Sequence, residues 1–362
     1  MTACRGCGST NLSRVLDLGN VPAADNFPLI TEPVSAEESA HPLAMDLCTN
    51  CGLAQLAHDD TVTSEPRGVE PRALRDQAAD AVQRVADAGW LRGKTVREFG
   101  SPHGGTWLRL LTKRGFVRSG VADVVLDTFG IMHERDQRAA FEVRAKTTAP
   151  DGVLLLQFHS LLTIASQGQW NALRHGHFAY YSLTTLTGLL DAVGMSVASA
   201  WEFGLYGGTV LIAAVHGRAK PDEHVREILR RERDFGITDP AKVGHLQQAA
   251  EFHAERLRSW LETQRRHRRP VYGYGAASRV PALFSIAGVD RQLLPAVADA
   301  SPAKQGRRIP GTDVPIISPE QLIAANPDRV FLTVPDLYQE VRRKYPELSG
   351  RWLIDPGPGS AL

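Results

Sequence analysis

The placement of the four cysteines constrains this 362-residue sequence more than any other feature. They form two Cys-x-x-Cys pairs, and a glycine follows each pair and lets backbone amides face the sulfurs. Two such turns, brought together, offer four thiolates in a tetrahedral arrangement that suits zinc and leaves no open ligand position. In a reducing compartment this spacing favours a metal over disulfides or four unrelated buried thiols. We therefore predict a structural zinc site whose ligands are Cys4, Cys7, Cys48 and Cys51.

Length and charge exclude several classes of protein. A chain of this length is too long for one ordinary core and suggests two or three domains. Its 41 basic and 40 acidic residues nearly cancel, so no general attraction draws it to nucleic acids or anionic membranes. No apolar run approaches the roughly 20 residues that a membrane-spanning helix needs, and the first residues lack the plan of a signal peptide. We expect a cytoplasmic protein without nucleic-acid or membrane partners.

Alternating strand and helix patterns after the cysteines predict an α/β protein. A β-turn-α pattern begins at Thr95, passes through the glycines of residues 100–105 and enters a helix near Trp107. Apolar strands follow at 122–127 and 152–157, two more lie within 197–215, and the charged stretch 221–268 is interpreted as two helices. A second glycine turn after 271–274 opens another strand-helix series. We predict a zinc-binding module at 1–58, a central domain at 73–216, a helical connector at 217–268 and a Rossmann-like domain at 269–362.

Ordered motifs in all three parts resemble the zinc-containing C-methyltransferases that act on nucleotide-linked keto-deoxysugars in antibiotic pathways. They include Leu16-Asp17-Leu18-Gly19, Glu98-Phe99-Gly100-Ser101, the segment His175 to Leu183, Gly207-Gly208-Thr209 and Gly273-Tyr274-Gly275-Ala276-Ala277. The resemblance implies a central class I methyltransferase domain of Rossmann type and a small-molecule, nucleotide-linked substrate bound between the domains. It also implies a base that removes a proton next to a ketone, so that the enolate attacks the methyl group of S-adenosylmethionine (SAM).

The resemblance assigns candidate site residues. His177 aligns with the base of the family, although most lone histidines are core residues with a backbone partner. His175 would share a strand face with it, His133 follows a strand end, and Arg174 could hold a phosphate or carboxylate or simply be exposed. The full set of candidates comprises catalytic His177, His175, His133, Arg174 and Tyr180; cofactor-binding Glu98, Gly100 and Gly104; and substrate-binding Asn26, Gly275, Lys304 and Arg307. For Lys304 and Arg307 a structural role is the alternative.

The central domain departs from the family pattern in its length. In the family, the glycine loop is followed by a second strand with an acidic end for the ribose, then by a third strand beside the adenine. Here the strand at 122–127 already resembles the fourth strand of the family, so two strand-helix units, roughly fifty residues, are missing or collapsed. Asp123 could serve as the ribose carboxylate. The sequence thus predicts a truncated methyltransferase domain in which the SAM site is degenerate.

The catalytic segment departs as well. Arg174 stands where the family has a tyrosine, Gly176 where it has a carboxylate, and residues 59–64 replace a tyrosine-rich stretch. Our leading interpretation is an enzyme of specialised metabolism that keeps His177 and performs SAM-independent proton transfer next to a carbonyl, as in epimerisation, isomerisation or cyclisation. The alternatives are a SAM-dependent C-methyltransferase with a rearranged pocket and a catalytically silent partner protein.

Overall fold

A computed structural model describes residues 3–62, 70–102 and 105–355, which are organised around three β-sheets. The N-terminal strands are β1 (Leu12–Val21), β2 (His41–Cys48) and β3 (Ala54–Leu56). All three pair in antiparallel fashion, and the cysteine pairs lie on turns at the ends of β1 and β2. Because β2 pairs with β1 on one side and with β3 on the other, it lies inside this small sheet and is buried along nearly its whole length.

The central segment contains a six-stranded sheet with helices around it. Its elements are α1 (Arg72–Asp87), β4 (Thr95–Phe99), α2 (Leu108–Thr112), β5 (Val117–Arg118), β6 (Ala122–Thr128), α3 (Gln137–Thr147), β7 (Thr148–His159), α4 (Leu161–Ser166), β8 (Ala179–Tyr180), α5 (Leu183–Asp191), β9 (Met195–Phe203) and β10 (Thr209–His216). The strand order is β5-β4-β6-β7-β10-β9, in which β4 to β7 run parallel and β10 runs antiparallel to both neighbours.

The edge of this sheet is shortened as the sequence predicted. Strand β5 has two residues, and among the described residues no strand lies outside it. Val117 in β5 and the neighbouring Val121 are 59% and 55% exposed. Within the described ranges, one strand of the methyltransferase pattern is therefore missing, and the strand before it has only two residues.

A helical connector joins the central and C-terminal segments. It consists of α6 (Glu223–Phe235), α7 (Pro240–Val243) and α8 (His245–Arg266), one helix more than the two that the sequence predicted. Gly236 ends α6 at a φ of +80°, and Asp239 accepts a hydrogen bond from the amide of Ala241, with Pro240 at the first position of α7. These local signals create the extra turn of helix.

The C-terminal segment is a doubly wound sheet of five parallel strands. Its elements are β11 (Val271–Tyr274), α9 (Val280–Ala287), β12 (Val297–Ala298), β13 (Ile316–Ile317), α10 (Pro319–Ala325), β14 (Arg329–Leu332), α11 (Tyr338–Lys344) and β15 (Trp352–Ile354). The strand order is β13-β12-β11-β14-β15, which reverses direction at β11. Ligands in such sheets bind at the carboxyl ends of the strands where the order reverses.

One apolar cluster contains residues of all three parts, which meet around residues 173–180, and the central and C-terminal segments each have a further cluster of their own. Strand β8 pairs with β3, so a strand from the central segment completes the N-terminal sheet. The buried guanidinium of Arg308 pairs with Glu38, which ties the N-terminal loop to the C-terminal segment. Across the described ranges, no helix has both the length and the apolar character needed to cross a membrane. The segment that carries His177 therefore lies where all three parts come together.

Candidate functional site

The four cysteines form one compact cluster. Their Sγ atoms all lie within 4.8 Å of one another, with Cys4 and Cys51 3.5 Å apart and Cys7 and Cys48 3.7 Å apart. Zn–S bonds of about 2.3 Å in a tetrahedron require sulfur–sulfur distances of about 3.8 Å. The cluster therefore fits a zinc ion held by four thiolates. With all four positions filled by protein, the metal would stabilise the module rather than act on a substrate.

The carboxylate of Glu98, in β4, binds the residues at the start of the next helix. Glu98 accepts hydrogen bonds from Oγ1 of Thr106 at 2.6 Å and from the amide of Trp107 at 2.7 Å, and thereby holds the start of α2. A Cβ on Gly100 would meet no atom of the described residues within 4 Å, so none of them packs closely on this glycine. Gly104 lies outside the described residues. The carboxylate that the resemblance assigns to the cofactor is thus engaged by the protein itself.

The ribose and adenine ends of a SAM site lack the expected groups. Asp123, the candidate ribose carboxylate, lies at the start of β6, where it accepts hydrogen bonds from the amides of Lys94 and Thr95 at 2.8 and 2.9 Å. It is therefore at the opposite edge of the sheet from the glycine turn, and that suggestion was wrong. Strand β5 ends in Arg118 instead of an acid. The described residues supply neither a ribose carboxylate nor a third strand, so they fit only the methionine end of the cofactor.

His177 and His133 meet at the carboxyl edge of the central sheet. Their rings are perpendicular with centroids 4.6 Å apart, and His177 is only 3% exposed. Nδ1 of His133 lies 2.8 Å from the carbonyl oxygen of Gly176, and because a carbonyl only accepts, this nitrogen carries the proton. The amide of Phe178 donates to the carbonyl of Met132, which fixes the segment around His177 against the turn that carries His133. The two histidines therefore form a rigid pair.

His175 points into different surroundings. Residues 175–176 form a turn rather than a strand, so the expectation that His175 and His177 share a strand face was wrong. The Nε2 of His175 lies 3.2 Å from the carbonyl of Pro42, its ring packs edge-on against His41, and burial lowers its pKa. The structure thus places His175 against the N-terminal sheet, apart from the pair formed by His177 and His133.

Tyr180 supplies a buried hydroxyl next to this pair. Its oxygen accepts a hydrogen bond from the amide of Arg174 at 3.0 Å, and its ring centroid lies 6.4 Å from that of His177. Burial raises the pKa of this phenol well above its ordinary value, so the hydroxyl keeps its proton. It can therefore donate a hydrogen bond to an oxygen that gains negative charge.

A second group of side chains lies across the boundary between the central and C-terminal segments. Arg174 donates from Nη1 to the hydroxyl of Ser278, which precedes Arg279 in the loop after β11. His159 ends β7 and packs against Tyr206, whose amide donates to Asp336 at 3.1 Å. Sequence reasoning missed Tyr206, Arg279 and Asp336. The usable cues were the glycine turns that adjoin the first two.

The candidate substrate-binding residues hold the N-terminal loop on the C-terminal segment. Buried Lys304 donates to the carbonyl of Ala276 at 2.8 Å and lies 4.7 Å above the ring of Phe27, and Arg307 donates to the carbonyl of Phe27 at 2.6 Å. Asn26 is exposed on the same loop. Gly275 adopts a φ of +99°, and a Cβ there would lie 2.8 Å from Oγ1 of Thr333. Lys304 and Arg307 thus make the structural contacts that were the alternative to diphosphate binding.

Known proteins resemble the chain at both ends and along its length. Residues 204–354 match the family model "C-methyltransferase C-terminal domain", and residues 4–64 match the model "Putative zinc binding domain". The C-methyltransferase NovU of Streptomyces niveus is 25% identical over 403 residues, covering 97% of this chain and 94% of that protein. Since the alignment is longer than this chain, NovU has residues at positions where this chain has gaps.

Solved methyltransferase structures give weaker likenesses. Magnesium protoporphyrin IX methyltransferase (ChlM) of Synechocystis PCC 6803, with bound SAH, covers 42% of this chain and 90% of its own at 14% identity and a TM-score of 0.30. An O-methyltransferase family protein of Burkholderia thailandensis covers 40% of this chain and 59% of its own at 15% identity and a TM-score of 0.28. The two family models, the full-length relative and the four-cysteine cluster together support the resemblance of the chain to the zinc-containing C-methyltransferases.

Proposed function

We propose that this protein is an enzyme of specialised metabolism that moves a proton next to a carbonyl without transferring a methyl group from SAM. The observation that carries the proposal is the edge of the central sheet. Strand β5 has two residues and ends in Arg118, and no further strand covers that edge among the residues described. A cofactor as large as SAM needs contacts along most of its length, and this edge offers none to the adenosine.

The pair of histidines and the tyrosine are suited to enolate chemistry. His177 takes the proton from the carbon next to the carbonyl, and the C–H electron pair forms the C=C bond of the enolate as the oxygen gains negative charge. The protonated hydroxyl of Tyr180 donates a hydrogen bond to that oxygen. His133, whose ring contacts that of His177, enters the step as an imidazolium with protons on both nitrogens. Its Nε2 proton goes to the same carbon from another direction or to a neighbouring one, which leaves His133 neutral, and His177 releases the proton it removed to water. The first outcome is an epimerisation and the second an isomerisation; attack of the enolate on an electrophile of the same molecule gives a cyclisation.

Proton exchange in heavy water tests this function without knowledge of the product. The purified protein is incubated in D2O with a nucleotide-linked 4-keto-6-deoxysugar, and loss of the proton next to the ketone is followed by NMR. We expect exchange without added SAM, abolished by His177→Ala and retained by His224→Ala, which changes an exposed histidine. Exchange that persists in His177→Ala contradicts His177 as the base. If His177→Ala also leaves the product of the biosynthetic pathway unchanged, the chain acts as a silent partner.

A SAM-dependent C-methyltransferase is the second candidate, and the full-length match to NovU favours it. Calorimetric titration of the zinc-loaded protein with SAM and with S-adenosylhomocysteine separates the two candidates. We expect no binding up to millimolar concentration. Stoichiometric binding of either compound, or a methylated product of the keto sugar, overturns the proposal and restores methyl transfer.

A further inference from the structure

Two arginines from different parts of the chain approach each other at the boundary between the central and C-terminal sheets. Arg174 comes from the loop before His177, and Arg279 comes from the loop at the carboxyl end of β11. Arg174 contacts the hydroxyl of Ser278, the residue before Arg279, and its charge lowers the pKa of Arg279, so the two guanidinium groups are near one another. Both side chains are partly buried.

Neither guanidinium has a carboxylate partner. In the part of the chain that the structure describes, no carboxylate oxygen lies within 4.0 Å of either one. Asp336 is engaged by the amide of Tyr206 at 3.1 Å, and Asp355 lies 2.9 Å from Nε2 of His253. Burial and the charge of Arg174 lower the pKa of Arg279. The charges of Asp336 and Asp355 offset this lowering only in part. Like charges collected away from water without a counter-ion are unfavourable, so this arrangement calls for an anion.

Two buried nitrogens belong to this cluster, since the charges of both arginines act on His159. Nε of Arg174 and Nε2 of His159 have no hydrogen-bond partner among the described residues. Burial, followed by the charges of Arg279 and Arg174, lowers the pKa of His159 to about 3, which keeps this ring neutral beside the two cations. A bound oxyanion would accept from Nε of Arg174 and from the planar guanidinium of Arg279, and its charge would raise the pKa of His159.

We propose that Arg174 and Arg279 bind an oxyanion group of the substrate, a phosphate or a carboxylate, between the central and C-terminal sheets. Arg174 precedes His177 by three residues, and its amide donates to the hydroxyl of Tyr180. The anion therefore lies beside the groups to which we assign proton transfer. The reading of the anion as part of the substrate rests on the proposed function, whereas the site itself rests on the two arginines and their unpaired donors.

Binding of simple anions tests the site independently of catalysis. The full zinc-loaded chain is titrated calorimetrically with inorganic pyrophosphate and with malonate at constant ionic strength. We expect saturable binding of one of them, weakened at least tenfold in Arg174→Gln and in Arg279→Gln. Arg230→Gln changes an exposed, ion-paired arginine and should bind as the unaltered chain does. Pyrophosphate binding alone assigns a phosphate-bearing substrate, and malonate binding alone assigns a carboxylate.

Two further measurements keep the test decisive. Arg279→Lys preserves the charge but not the planar fork, so it should fold and still bind more weakly than the unaltered chain. Anion binding should also raise the pKa of His159, measured by NMR, which a purely structural role of the arginines would not produce. His177→Ala should bind the anion normally, so failure of the proposed function leaves this result unaffected. Absence of binding of both probes, or unaltered binding in both arginine variants, overturns the site.

Discussion

Asp127 is the buried acid on which the position of His133 depends. Its Oδ1 accepts hydrogen bonds from the amides of Gly130 and Ile131 at 2.8 and 2.9 Å, and its Oδ2 accepts from Nε of Arg144 at 2.9 Å. The side chains of Asp127 and Arg144 are 0% and 3% exposed. One carboxylate thus holds the turn that leads to His133 and also neutralises a buried guanidinium.

Asp127→Asn should destabilise the protein strongly. The amide oxygen can still accept from the turn, but the amide NH2 group then faces Nε of Arg144, so two donors meet. The guanidinium keeps only the half-exposed Glu134, 3.1 Å from Nη1, and loses its buried counter-charge. Removing one partner of a buried ion pair costs about 3–5 kcal/mol. Urea unfolding, followed by both circular dichroism and tryptophan fluorescence, should show a midpoint lower by about 2 M if the slope is about 2 kcal/mol/M.

Two comparisons isolate the buried charge as the cause. Glu142→Gln makes the same chemical change on α3, where the acid is exposed and its partners Arg138 and Lys146 lie 3.6 and 3.8 Å away, so it should cost less than about 0.5 kcal/mol. In an Arg144→Met background, Asp127→Asn should cost about 2 kcal/mol less than in the unaltered chain. The reasoning fails if Asp127→Asn costs no more than Glu142→Gln, or if its cost is the same in both backgrounds.

The β9–β10 turn, the titration of His159 and the cysteines provide three shorter tests. A Cβ at Gly208 would lie 2.5 Å from Oγ1 of Thr163, so Gly208→Ala should lower the free energy of unfolding in urea by about 1–3 kcal/mol. Gly204→Ala, with open space at its Cβ, should leave the unfolding midpoint unchanged. Equal midpoints for the two variants contradict this prediction. The pKa of His159 in the folded protein is lowered to about 3, whereas in the unfolded chain the ring takes up a proton below about pH 6.5. The free energy of unfolding therefore decreases as the pH falls from about 6.5 towards 3. His159→Gln should remove up to about 1.4 kcal/mol per pH unit of that slope, and parallel pH curves refute the assignment. The zinc-loaded chain should hide all four thiols from a thiol reagent until a chelator is added, and reactive thiols before chelation contradict the zinc site.

The sequence was most informative where the signal is local. The spacing of the cysteines predicted their cluster, and apolar runs predicted strands close to β6 and β7, because ligand geometry and burial of a parallel strand are both written in neighbouring residues. The shortened sheet was also predicted, since the length of chain between the glycine turn and β6 cannot hold two further strand-helix units. The division of the connector at α7 was missed, although Asp239, Pro240 and the preceding glycine are recognisable boundary signals.

What the sequence could not provide was contact between distant segments. Arg174 and Ser278 are 104 positions apart, and no periodicity connects them. The pairing of β8 with β3 joins residues 179–180 to a strand more than a hundred positions earlier, so the N-terminal sheet extends beyond the cysteine-bearing segment. His175 and His177 have different surroundings because the chain turns at Gly176, which has a positive φ. The alternation of side chains along a strand does not predict such a turn.

That turn explains why the departures from the family pattern belong together. Gly176 adopts a φ of +78°, a conformation that a side chain with a Cβ, such as the family carboxylate, disfavours. The same turn directs the carbonyl of Gly176 to Nδ1 of His133 and its amide to Oδ2 of Asp59, at 2.8 Å each. Asp59 itself stands in the stretch that replaces the family tyrosines. The glycine, the acid and the histidine thus form one hydrogen-bonded unit. The two substituted positions, Gly176 and Asp59, therefore act together, because the hydrogen bonds that join them also hold His133 against His177.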